Sequence, residues 1–302
     1  MSDCVDQDDS QADASNAGTV PAFEMGDIAV HVVSDGDVPY PTDFVYPNAP
    51  SDELNAGLAG RLDEQGNLWL PYHCLLITTP AQNVLIDSGL GRAAAAAWSV
   101  PAGRMLDSLA RAGFAPADID TVVISHAHPD HIGGLIDRDK LTFPGARHVI
   151  EAREWACWTD EDQLARLPDD LTSTARAVLP LLAKADVVDV VRGETELVPG
   201  VQLVPAPGHT VGHCVVSFGS GSEQAIFLAD AILDRLQLTH PTWVSAVDMM
   251  PDETVATRTR LLDDAARDGS LVLAYHVAGL GQVERHNGSY RLTDRKIDGH
   301  RI

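Results

Sequence analysis

The sequence predicts an α/β protein in which two β-sheets lie between layers of helices. Three observations predict this class. The opening half, residues 27–87, contains alternating and β-branched segments, residues 151–185 are mostly helical in composition, and short strand-like segments return between residues 187 and 228. A helix and another strand follow between residues 252 and 275. Strands followed by helices, twice along one chain, are typical of two sheets packed between helical layers.

The opening half contains the first predicted strands. Residues 27–33 alternate in polarity and are rich in β-branched side chains, which favours a strand. Residues 68–78 and 83–87 are two further strand-like runs, separated by the turn-forming residues 79–82. We therefore expect a β-hairpin in this part of the chain.

A helix and a strand precede the most polar loop of the first half. Residues 105–112 have helical periodicity and end at Gly113, a residue type that often follows the last turn of a helix. The short β-branched run 121–125 is bounded by polar residues, which predicts a strand. The histidines that follow it are therefore expected on a loop at the C-terminal end of a strand.

The second half begins with predicted helix at residues 151–185. Four segments then predict successive strands: 187–191, 201–205, 214–218 and 225–228. Residues 252–268 have a helix-like pattern, and residues 271–275 predict a strand that ends beside His276.

The chain length predicts one large unit. At 302 residues the chain is within the range of single α/β domains, and we expect residues 21–302 to form one catalytic domain. Residues 1–20 are acidic and contain too few large apolar side chains to offset the entropy of ordering. We expect them to form a mobile tail.

The acidic composition of the chain limits the kinds of molecule that it is expected to bind. The formal net charge of -23 repels nucleic-acid phosphates and anionic membranes, and the sequence shows no basic patch. No apolar run reaches the roughly 18 residues needed to span a bilayer. The acidic N-terminus is unlike a secretory signal, and the four cysteines lie far apart without a CxxC pair. We therefore expect a cytoplasmic protein without nucleic-acid or membrane partners.

The most informative motif is an HxHxDH pattern formed by His126, His128, Asp130 and His131. Imidazole and carboxylate groups at alternating loop positions can turn toward two adjacent cations. Three further candidate ligands follow in order, each after a predicted strand or in a glycine-rich turn: His209, Asp230 and His276. Surface histidines in a turn would not require these additional residues.

These seven residues resemble the ligand set of the metallo-β-lactamase superfamily, whose fold is an αββα four-layer sandwich. The resemblance covers nearly everything from about residue 25 onward. It implies two ligand sets bridged by one carboxylate: His126, His128 and His209 for one ion, Asp130, His131 and His276 for the other, and Asp230 for both. Two divalent ions are therefore expected, with zinc favoured and manganese, iron or cobalt also compatible with these ligands.

The resemblance also implies a hydrolytic mechanism. Two cations about 3.5–4 Å apart lower the pKa of a shared water, so that a bridging hydroxide becomes the nucleophile. Asp130 is expected to orient this hydroxide as well as to bind metal, and the alternative is a ligand that handles no proton. Asp87 matches a superfamily position that supports the metal loop, whereas His213 and His148 are expected in structural or hydrogen-bonding roles. Tyr275 is adjacent to His276 on a strand, so its side chain should face the other way.

A more specific similarity is to the methyl parathion hydrolase and lactonase group. The segment 133–144 followed by a Trp-containing helix, the segment 240–243, Asp248 and the segment 274–281 resemble that group. This implies hydrolysis of lactones or related neutral esters and phosphotriesters, an uncharged small-molecule substrate and a homodimer. Trp158 aligns with an aromatic pocket position of the group. Phe143, Trp155 and Trp243 are weaker candidates for the pocket.

Other functions are compatible with parts of the sequence. A glyoxalase-like thioesterase acting on acyl-glutathione shares the HxHxDH and PGHTxGH elements, but the sequence contains no evident basic cluster for the glutathione carboxylates. A non-catalytic metal-binding sensor or scaffold would not need an intact ligand set. A mono-iron persulfide dioxygenase shares the motif too. No side chain is assigned as the acid that protonates the leaving group, a role that a metal-bound water could serve.

Overall fold

A computed structural model of the chain describes residues 20–295. The predicted mobile tail, residues 1–20, lies outside the described residues except for Val20. The described part contains sixteen strands and ten α-helices. The strands are β1 (Ala22–Met25), β2 (Ile28–Pro41), β3 (Asn67–Thr78), β4 (Asn83–Ile86), β5 (Thr121–Val123), β6 (Ile136–Asp137), β7 (Lys140–Leu141), β8 (Arg147–Glu151), β9 (Val188–Val191), β10 (Thr195–Val198), β11 (Val201–Pro205), β12 (Cys214–Ser220), β13 (Glu223–Phe227), β14 (Leu271–Ala274), β15 (Val277–His286) and β16 (Ser289–Arg295).

The helices lie in the connections between the strands. They are α1 (Thr42–Val45), α2 (Ser51–Gly57), α3 (Gly91–Trp98), α4 (Met105–Arg111), α5 (Pro129–Ile132), α6 (Ala152–Trp158), α7 (Glu161–Leu164), α8 (Asp169–Ala185), α9 (Leu236–Thr239) and α10 (Pro251–Asp268). None of these described helices is long and apolar enough to cross a membrane.

The strands form two seven-stranded sheets. The first has the order β1-β2-β3-β4-β5-β8-β9, and the second runs from β10 to β16 in sequence order. In the first sheet the strands from β4 onward are parallel, whereas β1 to β4 pair antiparallel. In the second sheet only the β13–β14 pair is parallel. β6 and β7 form a separate two-stranded sheet.

Side-chain alternation in β12 explains the layering. Val216 and Phe218 belong to the large core that also contains residues of the first sheet, while Val215 belongs to a second core with Leu261 and Leu262 of α10. Because neighbouring side chains on a strand point to opposite faces, the second sheet packs on the first sheet with one face and on α10 with the other. Helix α8 and the first sheet share the large core. The predicted four-layer αββα sandwich is therefore confirmed.

Several predicted elements differ in extent. The first predicted strand, residues 27–33, is part of the longer β2, which continues to Pro41. The predicted helical region 151–185 is divided into three helices, because Asp160 caps α7 and Pro168 precedes α8. Strands β15 and β16 were not predicted, since their mixture of exposed polar and charged side chains hides the alternation.

Candidate metal centre

The predicted ligands come from loops at one edge of the paired sheets. His126 and His128 follow β5, and Asp130 and His131 lie in the short helix α5. The other three follow strands of the second sheet: His209 after β11, Asp230 after β13 and His276 between β14 and β15. All seven side chains are buried. Both sheets therefore contribute to one site, which depends on their packing.

The seven side chains form two adjacent groups. Ligand atoms of His126, His128, His209 and Asp230 lie within 4.8 Å of one another, and so do those of Asp130, His131 and His276. In the first group, His128 Nδ1 is 3.1 Å from His126 Nε2 and 3.0 Å from His209 Nε2. Nitrogen atoms that converge this closely on a buried point are suited to sharing a cation.

Asp230 lies between the two groups. Its Oδ2 is 3.3 Å from His209 Nε2 and 3.2 Å from His276 Nε2, while its Oδ1 is 3.2 Å from His131 Nε2. Asp230 Oδ1 and His131 Nε2 are buried, yet neither makes a hydrogen bond within residues 20–295. Buried polar atoms normally have a partner, so two such atoms directed at the same point fit a divalent cation. The residues present thus fit the expected pair of ions.

Hydrogen bonds to the outer ring nitrogens orient three of the histidines. Asp87 Oδ2 lies 2.8 Å from His131 Nδ1, and Asp248 Oδ1 lies 2.8 Å from His209 Nδ1. His276 Nδ1 is 3.1 Å from the carbonyl oxygen of Pro71. A partner on Nδ1 leaves Nε2 directed at the cluster and sets the ring tautomer. The support expected from Asp87 is present, whereas the contact of Asp248 with His209 was not predicted.

Glu154 connects the two metal-ligand loops. Its Oε1 accepts a hydrogen bond from Ala127 N at 2.9 Å, and its Oε2 accepts bonds from Thr210 Oγ1 at 2.7 Å and Gly212 N at 2.8 Å. Its side chain is fully buried. A Cβ on Gly212 would lie 2.2 Å from the Glu154 backbone nitrogen, so only glycine permits this close approach. This role was not predicted, since an acidic residue in a helix is usually solvated.

Electrostatics within the cluster favour bound positive charge. Burial alone would raise the pKa of Asp230, but His276 and His131 outweigh it and hold that pKa well below its usual range. Burial would lower the pKa of His209, but its hydrogen bonds to Asp230 and Asp248 raise it to about 9. Burial, with His209 nearby, lowers the pKa of His128 to about 3. The ionised carboxylates thus attract positive charge, which protons on rings such as that of His209 supply and which divalent cations would supply in their place.

A mostly apolar cavity opens onto the cluster. It has a volume of about 640 Å³, and His128, Asp130, Asp230 and His276 form part of its wall. The remaining wall is largely apolar and includes Phe44, Leu70, Trp98, Leu171, Leu233 and Met249. Within the described chain no Lys or Arg lines this cavity, while Asp170 does. Such a cavity suits an uncharged substrate with an apolar part.

Trp158 does not line the cavity. Its side chain is 1% exposed in the large core, with its ring perpendicular to that of His128 at a centroid distance of 5.4 Å. The expectation that Trp158 contacts substrate is therefore corrected: it supports the back of a candidate ligand. Trp98, which the sequence analysis did not select, lines the cavity instead.

The three weaker aromatic candidates are likewise outside the wall. Phe143 belongs to the large core, with Trp155 packed against it. Trp243 belongs to a separate small core and stacks on His240 at 3.9 Å. These aromatic side chains therefore stabilise the surrounding loops.

Two residues next to the ligands have structural roles. His213 Nδ1 is 2.9 Å from the carbonyl oxygen of Ala206, and its Nε2 accepts a 3.2 Å hydrogen bond from Asp230 N. Tyr275 packs its ring 4.0 Å from that of His131 and donates a hydrogen bond to the carbonyl oxygen of Asp130 at 2.5 Å. Tyr275 lies with His276 in the turn between β14 and β15, and the two rings are 4.9 Å apart. Tyr275 therefore packs against the ligands, and the expectation from strand geometry that its side chain faces away from them is wrong.

Taken together, the αββα fold and the two His/Asp groups define a class of metal-dependent proteins. Residues 68–285 match the model of the metallo-β-lactamase superfamily, and the chain belongs to that superfamily.

Similar proteins include lactonases and other hydrolases. An N-acyl homoserine lactonase of Bacillus cereus is 27% identical over 164 residues, which cover 49% of this chain and 58% of that protein. The chain thus spans little more than half the length of this relative. A probable metallo-hydrolase of Mycobacterium bovis is 27% identical over 219 residues, covering 65% of this chain and 68% of that protein.

Solved structures share the fold over nearly the whole chain. The hydrolase AbOPH of the β-lactamase superfamily aligns with a TM-score of 0.85 at 21% identity, covering 94% of this chain and 100% of that one. AidC, a dizinc quorum-quenching lactonase, aligns with a TM-score of 0.80 at 24% identity, covering 94% and 99% of the two chains. At these identities the likeness concerns the fold.

Proposed function

We propose that this protein is a dinuclear metal-dependent hydrolase of lactones or related neutral esters and phosphotriesters. One observation carries the proposal: seven buried candidate ligands form two adjacent groups, and four of them line an otherwise largely apolar cavity, namely His128, Asp130, Asp230 and His276. The similarity to lactonases supports the same reaction class. Residues 21–302 would act as one catalytic domain, because ligands come from both sheets.

Each group of ligands would hold one ion, with Asp230 shared. Two divalent ions supply a nucleophilic water near neutral pH and polarise a substrate carbonyl or phosphoryl oxygen. Zinc is our first choice, and manganese, iron and cobalt suit the same ligands. We expect the protein to be cytoplasmic and, when loaded with metal, to form a homodimer. Size-exclusion chromatography tests the oligomeric state.

Asp130 is the proposed catalytic carboxylate. It is part of the cavity wall, and its Oδ2 lies 3.3 Å from His276 Nε2. Burial would raise the pKa of Asp130, but His131 and His276 hold it below its usual value, so that the carboxylate is ionised. An ionised oxygen at the cavity wall can orient the attacking water and accept its proton.

The charge of the cavity distinguishes the proposed substrates from acyl-glutathione. A glutathione thioester would bring carboxylates into a cavity whose wall contains Asp170, and no Lys or Arg of the described wall could pair with them. An uncharged lactone or phosphotriester meets no such repulsion. The intact set of seven ligands also favours an enzyme over a sensor or scaffold.

A pH-stat assay tests the proposal. Purified protein loaded with zinc or manganese is given γ- and δ-lactones of different chain length, with Asp230→Asn in parallel. We expect metal-dependent acid release by the wild type, reduced at least about 100-fold in the variant, since even residues that support ligands change activity by 10- to 100-fold. Equal release by both proteins, or none by either on lactones, esters and phosphotriesters, would contradict the proposed function.

A further inference from the structure

Two tyrosines meet beside the candidate metal centre. Tyr40, near the end of β2, lines the same cavity as Asp130, Asp230 and His276, and its hydroxyl is hydrogen-bonded to that of Tyr72 on β3. Tyr72 is fully buried, with its ring edge-on to that of His276 at 5.2 Å. Tyr40 therefore belongs to the cavity wall, Tyr72 lies behind it, and neither is part of the ligand set.

The direction of the hydrogen bond follows from burial. Tyr40 is the only hydrogen-bond partner of the Tyr72 hydroxyl within residues 20–295. A buried O–H that donates to nothing costs free energy, so Tyr72 must donate its proton to Tyr40. Tyr40 is half-buried and accepts this bond, which leaves its own O–H free to point into the cavity.

Two further observations suit Tyr40 to donating a hydrogen bond. Its ring stacks on that of Phe44 at a centroid distance of 5.2 Å and an angle of 16°, which restricts its orientation. Burial, with Asp130 nearby, raises the pKa of Tyr40 above its ordinary value, so the hydroxyl stays neutral. Among the described residues of the cavity wall, Tyr40 carries the one hydroxyl group.

We propose that Tyr40, oriented by Tyr72, donates a hydrogen bond to the departing oxygen of the substrate. The inference rests on the proposed hydrolase function. Water adds its oxygen to the acyl carbon, the bond from that carbon to the departing oxygen breaks, and the bonding electron pair stays on the departing oxygen. That oxygen takes up a proton of the attacking water. Tyr40 stabilises the charge that develops there and remains protonated throughout.

Leaving-group dependence tests this role. The variants are Tyr40→Phe and Tyr72→Phe, with Tyr290→Phe as matched control, because its hydroxyl bonds Asp263 outside the cavity. For δ-valerolactone, whose alkoxide leaves poorly, we expect kcat of Tyr40→Phe to fall about 10- to 100-fold. For p-nitrophenyl acetate, whose leaving group needs no such help, we expect a change below about threefold. Tyr72→Phe should show the same pattern with a smaller loss.

A purely structural role gives a different result. Equal losses on both substrates, or no loss on the lactone, would overturn the proposal. Binding of δ-decalactone to the metal-free protein, followed by the fluorescence of Trp98 in the cavity wall, supplies a readout that does not require turnover. Because Tyr40→Phe would lose one hydrogen bond to the lactone, we expect its Kd to be about fivefold higher than that of the wild type. We expect no change in Kd for Tyr290→Phe.

The two readouts separate the two proposals. If the loaded wild type hydrolyses no substrate, the proposed function fails, and the Kd comparison still decides whether Tyr40 contacts the lactone. An unchanged Kd in that case would overturn the contact as well. A higher Kd for Tyr40→Phe than for the wild type would support the contact between Tyr40 and the lactone.

Discussion

The carboxylate of Glu154 accepts a 2.9 Å hydrogen bond from the backbone N–H of Ala127, the residue between two candidate metal ligands. The same carboxylate accepts two bonds from the loop that carries His209, through Thr210 and Gly212. One buried side chain on α6 therefore sets the distance between a loop of the first sheet and a loop of the second. Its removal should loosen both loops together.

Replacing Glu154 tests this connection. In Glu154→Gln one oxygen becomes an NH₂ group that faces an N–H or O–H donor, so at least one buried bond is lost. We expect metal affinity to fall about 10- to 100-fold and the free energy of unfolding to fall by about 1–3 kcal/mol. Competitive titration with a chelating dye and urea unfolding measure the two effects. Glu194→Gln, at an exposed position, is the control. Wild-type metal affinity in Glu154→Gln would refute this role.

Asp248 is expected to act on His209 alone among the ligands. Asp248→Ala removes the partner of His209 Nδ1, so the ring can rotate or adopt the other tautomer. We expect metal affinity to fall about 10- to 100-fold. The same dye titration measures it, with the exposed Asp252→Ala as control. Equal affinities of the two variants would show that the contact does not orient the ligand.

Asp170 should determine the charge preference of the cavity. Asp170→Lys replaces a negative group in the wall with a positive one, and a charge contact near water is worth about 1 kcal/mol. We expect kcat/KM for monomethyl succinate to rise about fivefold, with little change for a neutral lactone. Asp169→Lys is the matched control, because this neighbouring side chain is fully exposed and outside the wall. An equal gain in both variants would point to general surface charge.

His148 should destabilise the protein in acid. Burial lowers its pKa to about 4, against 6.5 in the unfolded chain. Between these values the unfolded state binds the proton more readily, so stability is complete above pH 6.5 and declines as the pH falls toward 4. The loss reaches up to about 3 kcal/mol, since one pKa unit corresponds to about 1.4 kcal/mol.

Urea unfolding at pH 7 and pH 4.5 measures this effect. The stability of His148→Leu relative to wild type should improve by about 1–3 kcal/mol between pH 7 and pH 4.5. His286→Leu is the control, because water reaches the exposed His286 ring in the folded and unfolded states alike. A pH-independent difference between His148→Leu and wild type would mean that His148 does not titrate on unfolding.

Much of the fold was accessible from local patterns. The hairpin of β3 and β4, helix α10 and strand β14 follow from side-chain periodicity, which is a property of neighbouring residues. Strands β15 and β16 escaped prediction because their exposed charged residues, such as Glu284 and Arg285, obscure the alternation. The second sheet therefore contains more strands than the pattern indicated.

The sequence by itself determined the candidate ligands, because His126 to His131 are contiguous and the other three follow strands or a glycine-rich turn. Tertiary structure alone decided their supporting contacts. Glu154 meets Thr210 across 56 residues, and Tyr40 meets Tyr72 across 32. The Glu154 contact depends on how the two sheets and their loops pack, and the Tyr40 contact depends on the pairing of β2 with β3. Local periodicity carries no information about which distant side chains then meet. For the same reason, the sequence could mark Trp158 as aromatic and near the site, but only packing placed it behind His128 and outside the cavity.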